Sequence, residues 1–244
     1  MCGRYLLHAP ADLLGRAFGI EFSQTARDLG RPRFNIAPTQ GVPIVRNRPG
    51  RDLTILRDGG SGRELVPAKW GLIPAWAKDP AIGNKMINAR AESVADKPAF
   101  RAAFRARRCI VPATGFYEWQ RRGSGPKQPY LIRRRDGAPI GFAGLWEAWA
   151  DPETGEEITT CTIVTCEPNA LMVTLHNRMP VILDPADYDA WLDPGHGGTE
   201  QLRPCPEDWL EAVPVSMRVN SPRNDDATII QPEGEALATQ GSLL

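Results

Sequence analysis

Apolar positions change period along the chain, and the changes outline its elements. Residues 10–20 put Leu13, Leu14, Ala17 and Phe18 on one face and predict a helix. Asn35-Ile36-Ala37-Pro38-Thr39 reads as a turn leading into a strand at residues 42–46. Strands follow at residues 53–57 and 65–70, separated by the turn Asp58-Gly59-Gly60-Ser61-Gly62. Residues 98–108 predict a helix opened by proline, with Phe100 and Phe104 on one face and Arg101, Arg105 and Arg108 as a basic ridge beside them. Further strands are predicted at residues 109–113, 130–134, 140–146 and 159–165, and a short one at 181–183. Residues 168–176 predict a helix with Leu171, Met172 and Leu175 facing inward, and residues 185–192 and 206–213 predict short helices.

Many short strands between frequent turns, with no repeat and no linker, imply one α+β domain. Its expected form is a strand-rich core of mostly antiparallel strands with a few short flanking helices, over residues 1–223. Residues 224–244 are acidic and poor in apolar positions apart from Ile229 and Ile230, so a flexible tail is expected there.

Composition narrows the class. The 244 residues are 42% hydrophobic and 24% charged, as in globular proteins, and no apolar segment approaches a membrane span. The first thirty residues lack an apolar run of leader length and are interrupted by Arg16, Arg27 and Arg31, so a cytoplasmic, reducing setting is expected. The five cysteines show no disulfide spacing; Cys161 and Cys166 read as core positions of a strand rather than zinc ligands. No metal, cofactor or membrane partner is expected, and a monomer is.

The net charge is zero but unevenly spread. Residues 101–135 hold ten basic side chains against the single acid Glu118, and residues 184–244 hold twelve acids against three arginines. Such a distribution permits a nucleic-acid face without requiring one, because the same arginines serve equally as a solvated, acid-paired surface.

Candidate chemistry starts at the second residue. In Met1-Cys2-Gly3-Arg4-Tyr5, loss of Met1 would put an α-amine and a thiol on one residue. Their unperturbed pKa values, about 7.7–8.0 and about 8.5, leave a fraction of each nucleophilic at neutral pH. The amine can condense with an aldehyde, and the thiol can close on the imine to a five-membered thiazolidine, an intramolecular step favoured by proximity. The same terminus also suits amide hydrolysis, with the amine as base for its own thiol. Against both stands the ordinary use of cysteine as a small buried residue.

Four other stretches combine polar groups with turns: residues 33–39 with Asn35, Asn88-Ala89-Arg90-Ala91-Glu92, Gly115-Phe116-Tyr117-Glu118-Trp119 and His176-Asn177-Arg178-Met179-Pro180. A carboxylate walled by Phe116, Tyr117 and Trp119 would have its pKa raised, towards acid–base duty. A structural carboxylate paired with a flanking arginine, and a structurally satisfied histidine, are the plainer alternatives.

Taken in order, and with Trp70-Gly71-Leu72-Ile73-Pro74, these motifs resemble the SRAP (SOS-response-associated peptidase) family over nearly the whole chain. The resemblance implies an SRAP fold and an activity on abasic sites in single-stranded DNA. It implies a thiazolidine crosslink between Cys2 and the abasic aldehyde, completed by Asn88, Glu118 and His176. Asn88 would orient the N-terminal group, Glu118 would move protons, and His176 would assist sugar-ring opening. Arg4, Asn35, Trp70 and Arg90 match positions associated with holding DNA, an exposed Trp70 indole stacking on a base, whereas Trp76 is read as core. A weak lyase activity by β-elimination from the imine, removal of Met1 by autoproteolysis or by an aminopeptidase, and association with the nucleoid through DNA are further implications. Two other functions remain open at this level: a cysteine peptidase or amidohydrolase using Cys2, and a non-catalytic single-strand-binding module. Protein partners are not legible.

Overall fold

A computed structural model describes residues 2–20, 31–48, 62–121 and 123–237. Its strands, in chain order, are β1 (Tyr5–Leu7), β2 (Arg33–Ile36), β3 (Gly41–Asn47), β4 (Arg63–Trp70), β5 (Asn88–Arg90), β6 (Arg108–Ala113), β7 (Gly115–Gln120), β8 (Gln128–Arg134), β9 (Ile140–Ala150), β10 (Glu157–Cys166), β11 (Met179–Pro180) and β12 (Leu210–Pro214). Among the described residues three short α-helices, α1 (Ala11–Phe18), α2 (Arg101–Ala106) and α3 (Tyr188–Leu192), flank them. The predicted strand at residues 53–57 lies outside the described residues.

The strands form two sheets. One is antiparallel throughout, in the order β12-β8-β7-β1-β2. The other runs β11-β10-β4-β3-β6-β9, and pairing of β10 with β9 closes it into a ring; β5 adds to β10. Among the described strand pairs only β10–β4 and β10–β5 are parallel, in keeping with the mostly antiparallel expectation.

Alternation along β1 and β7 sorts side chains between two cores. Tyr5 and Phe116 face the second sheet, where both meet Phe142 edge-on and Tyr5 also meets Trp70. Leu6 and Tyr117 point the other way, onto Leu131, Val215, Val219 and Ile229. Each such aliphatic or aromatic side chain contributes about 1.5–3 kcal/mol by leaving water. By the same alternation Glu118 faces the inter-sheet side with Phe116, whereas Trp119 packs with Leu6 and Tyr117. The expected wall of three aromatics around Glu118 is therefore corrected: the strand period turns Tyr117 and Trp119 away.

Four further expectations change. The helix expected at 98–108 is α2 only, and Arg108 begins β6 with a buried guanidinium that donates to the carbonyls of Phe104, Trp191, Asp193 and His196. The ridge thus reduces to the exposed Arg101 and Arg105. In place of a helix at 168–176 there is one 3-10 turn, Met172–Thr174. Asn169 accepts from the Met172 N–H at 3.0 Å and donates to the Cys205 carbonyl at 3.1 Å, local bonds that compete with a continuous helix. Residues 206–213 form a turn, Glu207–Trp209, and then β12, whose ladder with β8 outweighs local propensity. The predicted tail boundary at residue 224 is not where the fold ends. Ile229 is buried, Pro232 bridges to Val215, and the Leu237 N–H donates to the Ala212 carbonyl at 2.8 Å.

Candidate active site at the junction of the two sheets

The two sheets meet at Cys2. The first contributes Cys2, just ahead of β1, and Glu118 on β7; the second contributes Asn88 on β5 and, ahead of β11, His176. The Asn88 side-chain amide donates to the Cys2 carbonyl at 2.9 Å, a bond from one sheet to the other. Asn88 Oδ1 is buried and has no hydrogen-bond partner among the described residues. Cys2 is fully buried; burial pushes its thiol far above the usual range, and the Glu118 carboxylate pushes it further. Burial also raises the Glu118 carboxyl to about 7, against the pull of the chain's positive amino terminus. The site therefore holds a neutral thiol beside an acid that changes state near neutral pH.

His176 is half-buried. Its Nδ1 accepts from the Arg178 N–H at 3.0 Å, and burial lowers its pKa. Two contacts fix the turn that carries it. Gln120 at the end of β7 donates to the Thr174 carbonyl at 3.1 Å, and the Arg178 guanidinium grips both carboxylate oxygens of Glu92. Arg178 also donates to the Thr165 carbonyl on β10. Bonds between elements far apart in sequence thus tie Asn88 to Cys2, and the end of β7 to the turn that carries His176.

The four residues matched to DNA contacts divide. Arg90 is exposed on β5 and available to a phosphate. Arg4 is half-buried; it donates to Asn35 Oδ1 and to the Val219 carbonyl, each at 2.8 Å, with its guanidinium 5.9 Å from the Trp119 ring centre. Asn35 is fully buried and donates to the carbonyls of Val219, Ser221 and Asn224, while Asp225 accepts from its backbone N–H. Its role here is to fasten the segment 217–225, which corrects the expectation of a DNA contact.

Trp70 is corrected for the same reason. Its ring is fully buried and its indole N–H donates to the Ile87 carbonyl at 2.9 Å, immediately before Asn88. The following Gly71 has φ +132°, and a Cβ there would lie 2.6 Å from the Gly83 carbonyl oxygen, so only glycine lets the chain fold back towards Asn88. The exposed indole is Trp76, 62% accessible, in a loop pinned where Trp149 donates to the Ala77 carbonyl. The reading of Trp76 as core is likewise reversed.

Sequence reasoning missed the Glu92–Arg178 pair. Its one signal was opposite charge within two motifs, Asn88 to Glu92 and His176 to Pro180. It also missed that Trp119 turns its polar edge outward, donating to Asn220 Oδ1 at 2.7 Å. Cys161 and Cys166 are buried on β10, and among the described residues no three metal-ligating side chains gather. No described helix is long and apolar enough to cross a membrane.

Comparison with known proteins shows the family. A family model for SOS response associated peptidase (SRAP) matches residues 1–222. The chain is 41% identical over 235 residues to the abasic site processing protein YoqW of Bacillus subtilis, covering 95% of this chain and 99% of that protein. It is 31% identical over 273 residues to the abasic site processing protein HMCES of Rattus norvegicus, covering 95% of this chain and 76% of that one. Among solved structures, a crystal structure of a Bacteroides thetaiotaomicron protein superposes with a TM-score of 0.80 at 28% identity, covering 95% of this chain and 99% of that one.

Proposed function

This chain belongs to the SOS response associated peptidase (SRAP) family, and from that membership we propose that it processes abasic sites in single-stranded DNA by capturing their open-chain aldehyde on Cys2. The relatives named as abasic site processing proteins supply the substrate class. The observation that carries the reading is the Asn88–Cys2 bond, which holds the first nucleophile-bearing residue of the chain beside a carboxyl raised to about 7.

The chemistry balances without a cofactor. Loss of Met1 turns the Cys2 nitrogen into a terminal amine, and the buried Asn88 Oδ1 is the acceptor suited to orient it. The unprotonated amine adds to C1′ of the aldehyde, and one of its protons passes to the aldehyde oxygen, giving a carbinolamine with a hydroxyl on C1′. Protonated Glu118 gives its proton to the departing hydroxyl, releasing water and leaving an iminium ion. The Cys2 thiol, kept neutral by burial, then passes its proton to the Glu118 carboxylate as sulfur bonds to C1′. The ring closes as a thiazolidine and Glu118 returns to its starting state. A carboxyl near pH 7 is suited to both transfers.

His176, accepting at Nδ1, carries its proton on Nε2 and supplies a donor for the sugar ring oxygen as the closed sugar opens. Arg90 and Arg4 provide charge for phosphates, and the accessible Trp76 offers a face for an unpaired base. An iminium that is not captured by sulfur acidifies C2′, so a weak lyase activity accompanies the reaction and grows when the thiol is absent.

Purified protein mixed with a single-stranded oligonucleotide bearing one abasic site tests this. A heat-stable adduct with the lesion strand, absent with an intact strand and in Cys2→Ala, is expected. No adduct from protein that has lost Met1, together with turnover of peptides, would replace this reading with amide hydrolysis.

A further inference from the structure

The fold sorts the basic run of residues 101–135. Arg107 pairs with Glu147, Arg133 with Glu211 and Arg134 with Asp136, and Arg108 is buried against four carbonyls. Lys127 differs from these. It is exposed and takes part in no salt bridge among the described residues.

Strand register gives its place. Gln120, the last residue of β7, pairs with Gln128, the first of β8, so Lys127 stands where this hairpin opens. Glu118 lies two residues further in on the same hairpin, opposite Tyr130. The Gln120 side chain donates to the Thr174 carbonyl at 3.1 Å, fastening the open end of the hairpin to the turn that leads to His176. Lys127 is therefore an exposed ammonium at the meeting of two segments, one carrying Glu118 and the other His176. The electrostatics agree with that placement. Burial acts most on both groups, raising Glu118 and lowering His176, and a weaker pull from Lys127 lowers each. A single ammonium acts on both only by standing near both.

An abasic sugar whose C1′ reaches Cys2 carries one phosphate on its 5′ side and one on its 3′ side. A lysine ammonium takes a phosphate oxygen as a point charge, without the fixed fork that an arginine requires. We propose that Lys127 binds one of these two flanking phosphates and so seats the lesion nucleotide, rather than the strand at large, over Cys2. The proposal rests on the reading of Cys2, Glu118 and His176 as the site of abasic-sugar chemistry. With Arg90 on β5, it has the DNA backbone held from both sheets, since Lys127 belongs to the antiparallel one.

Binding without capture tests it, using single strands that carry a tetrahydrofuran abasic analogue, which has no aldehyde. Three strands are compared by fluorescence anisotropy: one with every phosphate charged, one with a neutral methylphosphonate on the 5′ side of the analogue, and one with it on the 3′ side. On the fully charged strand, Lys127→Met should weaken binding about fivefold near 0.1 M salt and reduce the salt slope by about 0.7. Lys127→Arg should restore most of that loss. On one of the two neutralised strands Lys127→Met should cost less than about twofold, the other keeping the full loss. An equal loss on all three strands, or no loss on any, overturns the proposal. So does a Lys127→Met variant of unchanged affinity that only shifts the pH profile of capture, since Lys127 would then act on Glu118 and not on DNA. Wild type that binds these strands yet forms no adduct with a true abasic site would instead count against the functional reading, and the phosphate coupling would still decide the assignment of Lys127.

Discussion

The Asn88 side-chain amide donates to the Cys2 backbone carbonyl across 2.9 Å, joining the closed sheet to the antiparallel one. Neither sheet alone holds all four candidate residues. The bond fixes where the Cys2 backbone stands relative to Glu118 and His176, and it comes from a three-residue strand whose own place depends on Trp70 gripping Ile87.

Asn88→Ala removes that bond and leaves the Cys2 carbonyl without its donor. A hydrogen bond of this kind is worth about 1 kcal/mol net. Capture of an abasic strand should slow by at least about tenfold, while binding of an intact single strand, measured by fluorescence anisotropy, stays within twofold. Equal losses in both measurements would mean that Asn88 serves binding rather than positioning.

Glu118 sets a pH dependence of stability. Its carboxyl titrates near 7 in the folded chain against 4.5 ordinarily. Between those values the native state keeps a proton that the unfolded chain has released, so this group lowers stability as pH rises and the loss is complete above about 7. A shift of this size corresponds to about 3 kcal/mol. Glu118→Gln removes the titration. Urea unfolding should show the variant gaining about 2–3 kcal/mol on wild type between pH 4 and pH 8 while losing capture activity. Parallel stability profiles would contradict a buried carboxyl of raised pKa.

The two tryptophans of residues 70–76 should behave as opposites. Trp70→Ala empties a fully buried site and should cost about 3–5 kcal/mol of stability. Trp76→Ala alters an exposed side chain and should leave stability within about 0.5 kcal/mol. If Trp76 stacks on a base, its loss weakens single-strand binding by about 1–3 kcal/mol. Unchanged binding would remove Trp76 from the DNA face.

Asn35→Ala should act on the fold before it acts on DNA. The substitution strips the Ser221 and Asn224 carbonyls of their Asn35 donor and Arg4 of an acceptor, while the Val219 carbonyl keeps Arg4. About 3 kcal/mol of destabilisation is expected, with faster amide exchange concentrated in residues 217–225. Exchange that rises evenly over the chain would contradict the fastening role.

The sequence was legible where function and local pattern coincide. Short apolar and β-branched runs at residues 109–113, 130–134, 140–146 and 159–165 marked strands that the sheets contain, because strands covered on both faces read as continuous apolar stretches. Cys2, Asn88, Glu118 and His176 were named from motifs, and of these the structure joins Asn88 to Cys2 by a hydrogen bond. What failed depended on partners distant in sequence. Residues 210–214 became a strand because β8 was there to pair with, and Arg108 was buried because four carbonyls converged on it. Trp70 and Trp76 lie six residues apart in one short stretch, and nothing local says which of them faces water. Residues 224–237 are polar in composition, yet Asp225 accepts from the Phe34 and Asn35 N–H groups and Ile229 fills a core site. Composition weighs residues one at a time and cannot see a hydrogen-bonded strap.

The central claim is that C1′ of the abasic sugar ends bonded to both nitrogen and sulfur of Cys2. A single-stranded oligonucleotide with 13C at that carbon, mixed with protein that has lost Met1, reports the bond directly by NMR. The account predicts that the aldehyde-hydrate and hemiacetal signals give way to one saturated carbon correlated to the Cys2 α- and β-protons, and that Cys2→Ala never produces it. A carbon that stays as hydrate and hemiacetal, or that stops at an imine in wild type, would contradict it.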